Sequence, residues 1–202
     1  MNDTFIIFQI AILVMSVVIH EISHGYAAEY LGDPTPRLQG RLTLNPIKHL
    51  DLIGSIVVPL ISMMTGGFIF GWAKPVQWNP YNVKNRRVGE FLISLAGPLS
   101  NMIIVLVFGL TIRFFFEVIP QSSVKIMVYI VLINIVLAIF NLIPIPPLDG
   151  SKMLFSILPP KYVYIRESLE KYSFVFFLIF VFVLWRFVAP VVPLIFGLIT
   201  GI

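Results

Sequence analysis

Phe5-Ile6-Ile7-Phe8-Gln9-Ile10-Ala11-Ile12-Leu13-Val14-Met15-Ser16-Val17-Val18-Ile19-His20-Glu21-Ile22-Ser23-His24 decides the reading of this chain, because an apolar run passes without a break into two histidines four residues apart. At about 100° per residue those histidines lie one above the other on one helix face, where two imidazoles can grip a single Zn²⁺. In H-E-x-x-H sequences the glutamate beside the metal serves as general base, so Glu21 is the candidate proton carrier. Catalytic zinc takes three protein ligands and keeps one position open for water, so a third ligand must come from elsewhere in the chain.

Composition says where such a site resides. The 202 residues are 58% hydrophobic and 12% charged, with a mean hydropathy of +0.94, which is more apolar surface than a soluble domain of this size can bury. The apolar run lacks the basic flank and small-residue cleavage site of a secretory signal and is expected to be retained. With no cysteine present, disulfides and thiolate ligands are excluded, and a metal must sit on histidine and carboxylate. The net charge of +4 is no nucleic-acid signal, because the basic residues lie in loops beside apolar segments. No nucleic-acid motif or sequence repeat is present.

The apolar runs cover residues 4–28, 52–70, 91–116, 125–143 and 172–202, each near or above the length of a membrane crossing. The second contains Pro59 and Gly66-Gly67 and leads into Phe68-Ile69-Phe70-Gly71-Trp72-Ala73-Lys74-Pro75-Val76-Gln77-Trp78, which reads as extended chain. It is expected to dip into the membrane and return. Residues 25–51, 71–89 and 144–171 then share one side and hold Arg37, Arg41, Lys48, Lys74, Lys84, Arg86, Arg87, Lys152, Lys161, Arg166 and Lys171, which makes that side cytoplasmic by the positive-inside rule. The expected fold is an all-α polytopic membrane protein of about four transmembrane helices plus a re-entrant helix/β element, one domain over residues 1–202. Whether residues 186–202 continue the last crossing or fold back is left open by Pro190 and Pro193.

The third ligand is expected at Asp149, in Asn141-Leu142-Ile143-Pro144-Ile145-Pro146-Pro147-Leu148-Asp149-Gly150. The prolines stop the preceding helix and stiffen the chain as far as Asp149, and Gly150 permits a close backbone approach. His20 and His24 lie toward the end of the first helix and Asp149 just past the end of the fourth apolar run. They meet only if those two helices run parallel, which holds when the crossings after the first helix, residues 91–116 and 125–143, are even in number, so residues 52–70 should not cross. The plainer alternative for Asp149 is a helix cap. His49 reads as a loop or helix-start residue, Asn134 as a packing residue, and Trp72, Trp78, Tyr81 and Trp185 as interfacial anchors.

At these positions the chain resembles the site-2 protease family of intramembrane zinc metalloproteases. The resemblance rests on H-E-x-x-H at residues 20–24, on the N-x-x-P to L-D-G stretch at 141–150, and on Ala96-Gly97-Pro98-Leu99-Ser100-Asn101, similar to the family's G-P-x-x-N segment. It implies one zinc per chain on His20, His24 and Asp149, with Glu21 activating water. It further implies that Asn141 holds the substrate backbone or the oxyanion, and that Gly71, Trp72, Ala73, Lys74, Pro75 and Asn101 bind the substrate, the first five as an edge strand. The implied substrate is a transmembrane segment of another membrane protein, met in the lipid bilayer of a prokaryotic cell membrane and cut at a site open to the cytoplasm. The alternatives are a catalytically silent relative that binds transmembrane helices, against which the intact Glu21 argues, and a metal or proton transporter, against which the clustering of the polar residues at one depth argues.

Overall fold

In the computed structural model the described residues are 3–51, 54–55 and 73–202. A proline-free apolar sequence gives one unbroken helix, α1 (Asp3–Tyr30), followed by the single turn α2 (Thr35–Leu38) and a 3₁₀ turn at Pro46–His49. Helix α3 (Arg86–Phe115) starts where the Asn85 side chain accepts the Val88 N–H at 3.2 Å, satisfying one of the donors a helix start leaves free. Helix α4 (Gln121–Leu142) comes after Pro120 and stops at extended Ile143, as a residue before proline must. Helices α5 (Asp149–Ile157), α6 (Val163–Lys171), α7 (Ser173–Val188) and α8 (Val191–Thr200) complete the chain.

Three helices, α1, α3 and α4, are long and apolar enough to cross a membrane, and the pair α6 and α7, bent by 72°, makes a fourth if it is taken as one span. The most apolar windows of the three long helices bury only 22, 33 and 28% of their residues inside the protein, so the remaining apolar surface faces outward, as lipid allows and water does not. The chain is a polytopic membrane protein.

Helix α3 is the centre, packing against α1, α4, α5 and α8. Val105 and Ile112 of α3 meet Val131 and Ile135 of α4 and Val192 of α8 in one buried cluster. The course of the C-terminal segment is set by its neighbours. Phe177 and Phe180 pack on Phe140 near the end of α4, whereas Leu198 accepts a hydrogen bond from Arg113 near the end of α3, at 2.8 Å. Residues 186–202 therefore continue away from the start of α7. Trp185, expected as an interfacial anchor, packs edge-on against Phe140 and Phe180.

No strand occurs among the described residues. The re-entrant element expected at residues 52–70 lies outside them, except Gly54 and Ser55. Its flanks do not: the Lys74 N–H donates to the His49 carbonyl at 2.9 Å, so the chain on either side of that segment meets on one face.

Candidate metal centre

The C-terminal half of α1, the N-terminal half of α3 and the chain just beyond α4 come together at one level of the bundle. His20 Nε2 and His24 Nε2 are 3.1 Å apart, and each lies 3.1 Å from Asp149 Oδ2. All three residues are buried. Two ligands at neighbouring corners of a zinc tetrahedron with bonds of about 2.0–2.1 Å stand about 3.3 Å apart, close to this spacing.

The outer ring nitrogens fix which atoms face inward. His24 Nδ1 lies 2.6 Å from the Ile93 carbonyl, which can only accept, so a hydrogen is on Nδ1 and Nε2 is the ring atom that faces the centre. His20 is fixed by a longer route. The Asn134 amide group donates to the Ile130 carbonyl at 2.8 Å and to Ser16 Oγ at 3.0 Å, which leaves Asn134 Oδ1 to accept from Asn101 Nδ2 at 2.8 Å. Asn101 Oδ1 therefore faces His20 Nδ1, at 2.6 Å, and accepts its hydrogen. Two imidazole Nε2 atoms and a carboxylate oxygen thus converge, a donor set that could hold a divalent cation.

Room for that cation comes from Gly97. A Cβ built there would lie 2.5 Å from Nε2 of both histidines, so any larger residue would collide with both imidazoles on the side that faces α3. Gly150 is equally constrained, since its Cβ would fall 2.3 Å from the Leu142 carbonyl oxygen. That lets α5 press against the end of α4 and carry Asp149 inward. Asp149 is the first residue of α5 and makes no cap; Leu148 holds the cap position. Burial pushes the Asp149 carboxyl up, but His24 and His20 against it and Lys152, 3.3 Å from Oδ1, outweigh burial and hold it well below the usual carboxylate range. A cation bound there would displace any proton shared between the carboxylate and the imidazoles.

Glu21 stands beside the cluster, half-buried, with Oε2 accepting the Val76 N–H at 2.8 Å. Of the other residues expected at the site, Asn101, assigned to the substrate, is fully buried and engaged at both ends by His20 and Asn134, so it faces the back of a histidine. The Asn141 amide donates to Leu137 of its own helix at 2.9 Å. Ala73, Lys74 and Pro75 belong to a stretch, residues 73–79, that is neither helix nor strand and runs past Glu21. Gly71 and Trp72 lie outside the described residues. The Ser16–Asn134–Asn101 chain and the Ile93 carbonyl went unnoticed in the sequence. Ser16, Asn101 and Asn134 had a signal, being polar residues inside apolar helices that must find partners; a backbone carbonyl has none.

The profile described as "Peptidase family M50" matches residues 116–184, which include Asn141 and Asp149. "Putative zinc metalloprotease YwhC" of Bacillus subtilis is 37% identical over 174 residues, 83% of this chain and 76% of that protein. The chain belongs to peptidase family M50, the site-2 proteases. Two further relatives of this M50 chain are "Putative zinc metalloprotease Rip2" of Mycolicibacterium smegmatis, 33% identical over 77% of the chain and 59% of the relative, and "Zinc metalloprotease MJ0392" of Methanocaldococcus jannaschii, 29% identical over 83% and 39%. No solved structure matches the M50 chain significantly.

Proposed function

We propose that this chain is a zinc metalloendopeptidase that hydrolyses a peptide bond within or beside a transmembrane segment of another membrane protein, acting as one domain from a site open to the cytoplasm. The observation that carries the reading is the convergence of His20 Nε2, His24 Nε2 and Asp149 Oδ2 beside Glu21, on a helix apolar enough to span a bilayer. His20, His24 and Asp149 would hold one zinc, which when bound polarises the scissile carbonyl and acidifies a water. Glu21 takes the proton of that water and returns it to the leaving amine. Asn141, once its amide swings away from Leu137, can donate to the substrate backbone or to the oxyanion. Residues 71–75 are assigned to meet the unwound substrate, whose exposed amides need partners at membrane depth, although the Lys74 N–H and the Lys74 and Pro75 carbonyls are already engaged by His49 and Arg41.

The deciding experiment pairs metal content with cleavage. Wild type should carry about one zinc and cut members of a panel of single-span membrane proteins. Glu21→Gln should keep the metal and lose cutting, and Asp149→Asn should lose both. Zinc without cutting in wild type would favour a silent helix-binding relative; absence of zinc binding would overturn the reading.

A further inference from the structure

Residues 73–79 are tied down on both sides of Glu21. Upstream, the buried Arg41 donates from Nη2 to the carbonyls of Lys74, at 2.7 Å, and Pro75, at 3.1 Å, and from Nη1 to the carbonyl of Lys48. The Lys74 N–H adds the bond to His49. Downstream, the Asn79 N–H donates to Asp33 Oδ2 at 2.6 Å, and Asp33 Oδ1 accepts from Asn82 Nδ2 at 2.7 Å. Between these anchors the Val76 side chain packs on Gly25, where an added Cβ would come within 3.3 Å of it and 2.5 Å of Leu42. A glycine one turn beyond Glu21 eases this close approach of the segment to α1, where the Val76 N–H bonds Glu21 Oε2 at 2.8 Å.

A glutamate side chain has three rotatable bonds and, left alone, scatters its carboxylate over many orientations. Charge-assisted bonds from a backbone N–H are directional, and a backbone anchored on both sides cannot follow the side chain if it turns. Glu21 Oε1 has no hydrogen-bond partner among the described residues. We propose that residues 73–79 are a positioning strap for Glu21: the Val76 amide, held in place through Arg41, fixes one carboxylate oxygen and leaves the other for the reacting water. The inference rests on the reading of Glu21 as general base. Arg41 and Val76 touch no reacting atom; they act through Glu21. Because the Val76 N–H faces Glu21, it is not a donor for the substrate backbone, and its loss falls on kcat rather than on KM.

Two measurements test this on the full chain. In the zinc-free protein, exchange of the Val76 amide with deuterated solvent should be slow, and Glu21→Ala should speed it by about ten-fold or more; unchanged exchange overturns the contact. In zinc-loaded protein cutting a single-span membrane substrate, Val76→Pro removes the donor and should keep its zinc and its KM while kcat falls about 10- to 100-fold. Val76→Ala, which keeps the donor, should turn over several times faster than Val76→Pro, and Arg41→Lys, which loses the forked grip on the carbonyls, should fall between them. If Val76→Pro does not fold, the exchange measurement and Arg41→Lys still decide. Equal kcat for Val76→Pro and Val76→Ala, with Glu21→Gln inactive, overturns the strap and leaves the base in place. Cutting by Glu21→Gln at the wild-type rate removes the reading on which the strap rests.

Discussion

Gly97 shows how a residue without a side chain can govern a site. Its missing Cβ is the space between two imidazole nitrogens, each 2.5 Å from where that carbon would be. Helix propensity favours Ala over Gly by about 1 kcal/mol, so Gly97→Ala should leave the helix intact while abolishing zinc uptake, a combination that circular dichroism and metal analysis together would reveal. Zinc uptake at the wild-type level in Gly97→Ala would mean that the cluster is not the metal site. Asn101 acts from the other side, through the Nδ1 hydrogen of His20. Asn101→Leu strands that hydrogen and the Asn134 carbonyl together, and competition against a chelator should show zinc affinity reduced by about 10- to 100-fold. The two histidines and the carboxylate were legible because their residue types and spacing leave few other uses in a membrane helix. The orientation of Asn101 toward the back of His20 was not legible, because a motif match places a residue near a site without saying which way it faces.

At the scale of elements, the site depends on how closely one piece of chain can approach another. Helix α5 meets the end of α4 at Gly150, where an added Cβ would collide with the Leu142 and Ile143 carbonyls, backbone atoms that cannot turn aside. Gly150→Ala should therefore displace Asp149 and cost both zinc affinity and about 1–3 kcal/mol of stability, read as a lower midpoint of thermal unfolding. The loop anchored by Asp33 carries a pH signature. Burial raises its carboxyl, but hydrogen bonds from Thr35, Asn82 and Asn79 outweigh burial and hold it below its usual 3.8. A group depressed in the folded state stabilises the fold fully above that usual value, and the contribution disappears as pH falls through the lowered one. Asp33→Ala should accordingly destabilise the protein at neutral pH and unfold with a flatter acid limb than wild type, measurable by thermal melts from pH 7 down to about 3. The α1, α3 and α4 helices were readable from hydropathy and proline punctuation to within a few residues. The ties made by Arg41 and Asp33 were not, because their acceptors and donors are mostly main-chain atoms that every sequence possesses.

For the molecule as a whole, the ends of α1 and α4 and the start of α3 share one level, which satisfies the parity argued from Asp149 and puts residues 31–51, 73–85 and 143–171 at the same end of the bundle. The absence of native cysteine makes this testable. Single cysteines at positions 40, 82 and 161 should react with an impermeant thiol reagent from one face of a sealed vesicle and a cysteine at position 118 from the other; opposite faces for 40 and 82 would break the topology. Hydropathy alone could suggest the number of crossings, but not that α8 would carry on beyond Pro190, since that depends on Val192 finding the α3–α4 core. The metal cluster also has a temporal consequence. His20 and Asp149 are 129 positions apart, and the carboxylate enters through α5, beyond the last of the three long apolar helices. A nascent chain still emerging from the ribosome carries the two histidines and Glu21 long before it carries Asp149. On the proposed reading, its three-ligand centre cannot exist until both α4 and α5 have been made, and a half-built chain would have no means of cutting anything in the membrane where it is being assembled.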